Sequence, residues 1–246
     1  MAGIVIVDRV SQRFGSREIY AGVSFEVRQG EVFAILGGSG CGKSTLQRQM
    51  TGLLQPTSGT INVLGHDMYG AASDVLTRIG VMFQSGALFG SMSLLQNVML
   101  PLEMHSDLAP DARAEVARVK LGLVGLANAV SLLPAEISGG MIKRAAIARA
   151  MALDPPLLFL DEPSAGLDPI TAAGLDRLIV DLRDEIGITV VLVTHDLASI
   201  LAIADRCLML DMAKAGVIAQ GDPRQLRDSD ADPVVHAFFH REMLPS

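Results

Sequence analysis

Gly37-Gly38-Ser39-Gly40-Cys41-Gly42-Lys43-Ser44 follows without a gap on the apolar run Val32-Phe33-Ala34-Ile35-Leu36 and opens a helical pattern. A glycine-rich loop between a buried strand and a helix commits this part of the chain to an open α/β sheet with a phosphate cradle at one strand end. Glycines let the backbone curl so that successive N–H groups point inward, and the helix N-terminus adds partial positive charge where phosphate oxygens would sit. In such a cradle Lys43 reaches the β- and γ-phosphates, while Ser44, with Thr45 next to it, serves Mg²⁺ and nucleotide. At ordinary residue frequencies a chain of this length matches the pattern by chance on the order of one time in a hundred. No G-x-G-x-x-G fingerprint coincides with the loop, which disfavours a dinucleotide site.

Half of the 246 residues are hydrophobic, yet the apolar runs at Leu157–Leu160 and Ile188–Thr194 are short and bounded by Gly, Pro or charge. None approaches the roughly 18 apolar residues of a membrane span, and their lack of polar alternation predicts parallel strands covered on both faces. Residues 3 to 36 read as strands with turns at Gly15-Ser16 and Gln29-Gly30. From about 85 to 153 the pattern is helical, with Pro110-Asp111 starting one segment and Ser138 capping another. Asp168 and Pro169 open a further helix, whose buried stripe is Leu175, Leu178, Ile179, Leu182 and Ile186, with Gly187 as its stop. Strands then follow at Cys207–Asp211 and Val217–Gln220. The expected organisation is one α/β domain over 1–222 with its helical insertion, then a polar extension over 223–246 that carries Pro223 and Pro233 and lies outside the core.

The first residues carry no cationic leader, so the chain is expected to stay in the cytoplasm. Cys41 and Cys207 are too few and too far apart for a disulfide framework. A formal net charge of -7 argues against a broad basic surface for nucleic acid. His236 and His240 share one helical face, but two ligands alone do not make a metal site, and an exposed tail is the expectation.

Asp161 and Glu162 end the Leu157–Leu160 run, at the strand edge where open α/β sheets bind ligands. A lone Asp-Glu pair is usually a solvated strand end; with a phosphate loop upstream, Asp161 becomes a candidate Mg²⁺ holder and Glu162 a candidate for orienting or deprotonating water. His195 ends the next apolar run and could donate to a γ-phosphate, and Gln84, after Ile79–Phe83, could bind Mg²⁺ or water through its amide. Ser138-Gly139-Gly140 starts a second helix with exposed N–H groups and so forms a second anion cradle. One mononucleotide hardly needs two such cradles far apart in sequence, which points to a second copy of the chain closing on the first.

Phosphate loop, glutamine, Ser-Gly-Gly helix start, Leu160-Asp161-Glu162-Pro163, Gly166-Leu167-Asp168 and strand-end histidine, in this order, resemble the ATPase subunits of ABC transporters across residues 4 to 221. The resemblance implies a P-loop NTPase core of RecA-like α/β type, with an antiparallel β portion at its N-terminus and an inserted helical subdomain. It implies a homodimer that sandwiches two ATP molecules on the cytoplasmic face of the inner membrane, beneath a transmembrane permease. Ser138 and Gly140 would then meet the γ-phosphate in trans, Ser164–Asp168 would line the dimer interface, and Phe14 would stack on adenine. Met141 stands where glutamine is usual. Phe83–Phe89, Ser138–Arg144 and Ala165–Ile170 are further similar to the ATPases of Mla or Mce-associated lipid-transport systems. That likeness implies phospholipid as cargo, an Mce-type lipid-binding protein and a small STAS-domain partner, with the C-terminal extension bracing the dimer.

Non-transport ABC proteins usually carry two cassettes in one chain or a long coiled coil, and neither is present. The intact Glu162 and His195 argue against a module that has lost hydrolysis, and an ABC transporter for another solute, such as amino acids or metal complexes, stays open.

Overall fold

A computed structural model of the protein describes residues 3–70, 74–229 and 232–242. The chain opens with β1 (Val5–Phe14) and β2 (Arg17–Val27), then β3 (Val32–Gly37), the glycine loop and α1 (Lys43–Met50). After β4 (Ser58–Val63), β5 (His66–Asp67) and β6 (Ile79–Met82) come α2 (Leu94–His105), α3 (Pro110–Leu123) and α4 (Gly139–Ala150). Then β7 (Leu157–Asp161), α5 (Pro169–Ile186), β8 (Thr189–Val193), α6 (Leu197–Ile203) and β9 (Arg206–Asp211) alternate. β10 (Gly216–Gly221), α7 (Pro223–Arg227) and α8 (Pro233–His240) follow.

Two sheets form. The smaller has the order β2-β1-β4-β5 and is antiparallel; the larger has the order β10-β9-β3-β8-β7-β6 and is parallel except for β10. Every residue of β3 and β8 is buried, because both faces of the larger sheet are covered. Val32, Leu158, Leu160, Val190 and Leu192 face the core shared with α2 to α5. Their neighbours Phe33, Ile35, Leu157, Phe159, Val191 and Val193 face the opposite core, shared with α1 and the smaller sheet.

Local capping signals hold as read. Asp168 accepts the N–H groups of Ile170 at 3.1 Å and Thr171 at 3.0 Å, Ser138 accepts that of Met141 at 3.3 Å, and Gly187 ends α5 at φ 78. Two expectations are corrected. Ile186 does not complete the stripe of α5: it is 47% exposed, lining an open cleft in the last turn, and Ala172 is buried at the other end of the stripe. The segment after Asp222 is not outside the core either, since α8 buries Val235 and Phe239 against Ala34, Leu36, Leu197, Ile200 and Met209. Residues four apart give even a two-turn helix one apolar face, which outweighs the prolines on either side. Residues 230–231 and 243–246 of the expected extension lie outside the described residues.

Candidate active site

The larger sheet gathers the site by strand order. β3 ends in the phosphate loop, its neighbour β8 leads to His195, β7 ends in Asp161 and Glu162, and β6 leads to Gln84. Gly37, Gly38, Ser39, Lys43, Glu162 and His195 line one cavity of about 580 Å³, within the usual size range of small-molecule sites.

Two glycines of the loop are there by necessity. At Gly37 (φ 138) a Cβ would stand 2.2 Å from the carbonyl oxygen of Leu210, and at Gly42 (φ 102) 2.8 Å from the ring of Tyr20. Tyr20 is itself pinned by donating to Gln49 Oε1 at 2.7 Å. Gly42 caps α1 without a side chain, and the first turn holds no acidic residue, so the helix start presents its N–H groups to an anion. The Lys43 ammonium folds back on the loop and donates to the carbonyl oxygens of Gly37 at 2.8 Å and Gly38 at 3.0 Å. Cys41 is buried, and burial raises its thiol pKa, which marks it as packing within the loop. Phe14, half-exposed at the end of β1, lines a side cleft with Gly40, Gly42, Lys43, Ser44 and Thr45.

Asp161 is raised above the usual carboxylate range, first by burial and then by Glu162, against the opposing pull of Arg48, Lys143 and Lys43. Its Oδ1 is buried and has no hydrogen-bond partner. A buried carboxylate oxygen without a donor fits a hard cation, so Asp161 is chemically suited to Mg²⁺. Glu162 sits at φ 46, held by its N–H donating to Val193 O at 2.8 Å. Its Oε1 lies 2.8 Å from His195 Nδ1, and Thr194 Oγ1 donates to its Oε2 at 3.5 Å. The Glu162 side chain is only 12% exposed whereas His195 is 68% exposed, so the carboxylate is anchored and the imidazole faces the cavity.

Other expected residues stand apart. Ser138 and Gly139 are exposed at the start of α4, Gly140 packs against Thr171, and none of the three lines the cavities around the phosphate loop. Asp168 is occupied as the cap of α5, with hydrogen bonds from Thr171 holding its carboxyl below the usual range. Gln84 has an exposed side chain, and its carbonyl oxygen accepts from the Lys143 ammonium. His236 and His240 stack with ring centroids 4.0 Å apart, and among the described residues no group of three or more His, Cys, Asp or Glu is placed to hold a metal. Sequence reasoning missed Lys143, Arg17, Phe238 and Arg241. The last two close one side of the main cavity, and Arg17 lies beside Phe14. Lys143 is buried, and burial lowers its pKa against the pull of Asp161 and Glu162.

Residues 20–165 match the family described as ABC transporter. The chain is 39% identical over 230 residues to the intermembrane phospholipid transport system ATP-binding protein MlaF of Haemophilus influenzae, covering 92% of this chain and 86% of that one. It is 38% identical over 238 residues to the probable ribonucleotide transport ATP-binding protein mkl of Mycobacterium tuberculosis, covering 95% of this chain and 66% of that one. Among solved structures it is similar to the dimeric post-hydrolysis state of the ATP-binding cassette MJ0796 bound to ADP and Pi, with a TM-score of 0.78 and 30% identity over 89% of this chain and 98% of that one. The chain belongs to the ABC transporter family. Among the described residues no helix is long and apolar enough to cross a membrane.

The Asp161 environment gives a pH prediction. A carboxyl whose folded pKa is raised stabilises the fold below the unfolded value of 3.8, and that contribution is lost as pH rises through the folded value. Asp161→Asn should therefore be more stable than the parent to urea at pH 7 without nucleotide, with the gap closing as pH falls below the ordinary carboxylate range. A variant less stable than the parent at pH 7 would contradict this electrostatic account.

Proposed function

We propose that this ABC ATPase powers the transport of lipid, with phospholipid as the favoured class, as a homodimer on the cytoplasmic face of the inner membrane beneath a transmembrane permease. The observation that carries the catalytic part is Glu162: an anchored carboxylate, paired with His195, in the same cavity as Lys43 and the phosphate loop. The lipid assignment draws on the near full-length likeness to MlaF.

In this mechanism the N–H groups of Gly38 to Ser44 and the Lys43 ammonium hold the β- and γ-phosphates, and Phe14 stacks on adenine. Ser44, Asp161 and Gln84 would hold Mg²⁺, which when bound neutralises charge on the phosphates. Glu162 orients the attacking water and accepts its proton, and the exposed His195 imidazole donates toward the γ-phosphate. Ser138, Gly139 and Gly140 line neither cavity at the phosphate loop of their own chain, which supports their serving the nucleotide held by the partner copy, with Ser164–Asp168 between the two. Closing of the dimer is passed to the permease through the segment Gln84 to Phe89. An Mce-type lipid-binding protein and a STAS-domain protein complete the assembly, the latter near the C-terminal extension over 223–246.

Replacing Glu162 with Gln should cut kcat by about 100-fold or more while leaving ATP binding intact, so that ATP-bound dimers accumulate in light scattering. Near-normal turnover would remove Glu162 from its role. The likeness to mkl supports a second cargo reading, a nucleotide-like solute. Mass spectrometry of the complex isolated with its membrane partners separates the two. Copurified phospholipid with a permease is the expected result, and a permease complex without lipid would overturn the lipid assignment.

A further inference from the structure

Helix α4 holds the two catalytic segments by their backbones. Lys143, just beyond its first turn, is 7% exposed, and its ammonium donates to the carbonyl oxygen of Gln84 and, at 3.3 Å, to that of Glu162. Six residues on, Arg149 donates to the carbonyl oxygens of Gly86 at 3.0 Å and Ala87 at 2.7 Å. Between these cations the loop lies flat on the helix, since a Cβ at Gly86 would stand 3.0 Å from Ile142 Cγ2 and 3.6 Å from Ala146 Cβ. A buried ammonium persists only where charge and hydrogen bonds offset its lost hydration. Here Asp161 and Glu162 supply the charge and the two carbonyls supply the bonds. Glu162 also sits at φ 46, a conformation that a residue with a side chain keeps only where its surroundings hold it. The carbonyl that Lys143 grips belongs to that residue.

We propose that Lys143 is a positioning residue, tying the backbones of Gln84 and Glu162 to the helix that carries Ser138, so that displacement of α4 displaces both. The inference rests on the reading of Glu162 as the residue that activates water. It joins three parts of the site in one chain: the segment assigned to the permease, the segment assigned to water, and the helix start offered to the partner copy. Lys143 itself faces carbonyl oxygens and acts through the residues that own them.

The test compares Lys143→Met and Lys143→Arg in the full-length dimer, with Glu162→Gln as reference. Lys143→Met should lower kcat about tenfold or more and leave KM for ATP within about twofold, whereas Lys143→Arg, which keeps charge and donors, should recover most of the rate. Hydrogen exchange supplies a readout independent of turnover. The amides of Gly86 and Ala165, which donate to Phe83 O at 2.7 Å and Glu162 O at 3.2 Å, should exchange faster together in Lys143→Met and recover in Lys143→Arg. Wild-type kcat in Lys143→Met, unchanged exchange at both amides, or failure of Lys143→Arg to rescue would overturn the proposal. If Glu162→Gln keeps turning over, the reading of Glu162 fails first. If it is inactive while Lys143→Met is normal, only the positioning role fails.

Discussion

The register of four parallel strands decides everything at the nucleotide edge of this molecule. Ile35 pairs with Val193, Val193 with Asp161, and Leu160 with Met82, so the phosphate loop, His195, the two acids and Gln84 emerge from consecutive strand ends. A slip of one residue in β7 would exchange Leu158 and Leu160 with Leu157 and Phe159 between two different cores. It would also break the bond from the Glu162 N–H to Val193 O that sets the carboxylate beside His195. Core packing and site geometry are thus one constraint, and the apolar residues of β3, β7 and β8 act on catalysis through register.

The site that results is electrostatically incomplete by itself. Asp161 has a buried oxygen without a donor, Lys43 folds onto carbonyls of its own loop, and the helix start at Gly42 offers N–H groups without a side-chain cap. A polyanion accompanied by a hard cation would satisfy all three at once. The same incompleteness costs stability in the protein alone, a common trade at functional sites. The helix start at Ser138 is exposed as well and does not line this cavity.

Much of this was legible because the signals were local. Glycine spacing announced the loop, Asp168-Pro169 and Gly187 marked the bounds of α5, and unbroken apolar runs marked strands buried on both faces. What was not legible depended on tertiary neighbours. Val235 and Phe239 look like an ordinary tail until the face formed by Leu36 and Ile200 exists to receive them. Ile186 fits the helical stripe but falls in the last turn, where it lines an open cleft. Lys143 carries no local signal of its role, and only the meeting of β6 and β7 beside α4 gives it two carbonyls to bind.

The central claim is that each nucleotide is completed by two chains, the phosphate loop of one and the Ser138 helix start of the other. Subunit complementation measures this directly. Lys43→Ala and Ser138→Arg should each be inactive alone, and mixing them should restore ATPase activity, because a mixed dimer holds one site built from two intact halves. With random pairing about a quarter of all sites are restored. A mixture no more active than its parents, with mixed dimers confirmed to form, would contradict the account.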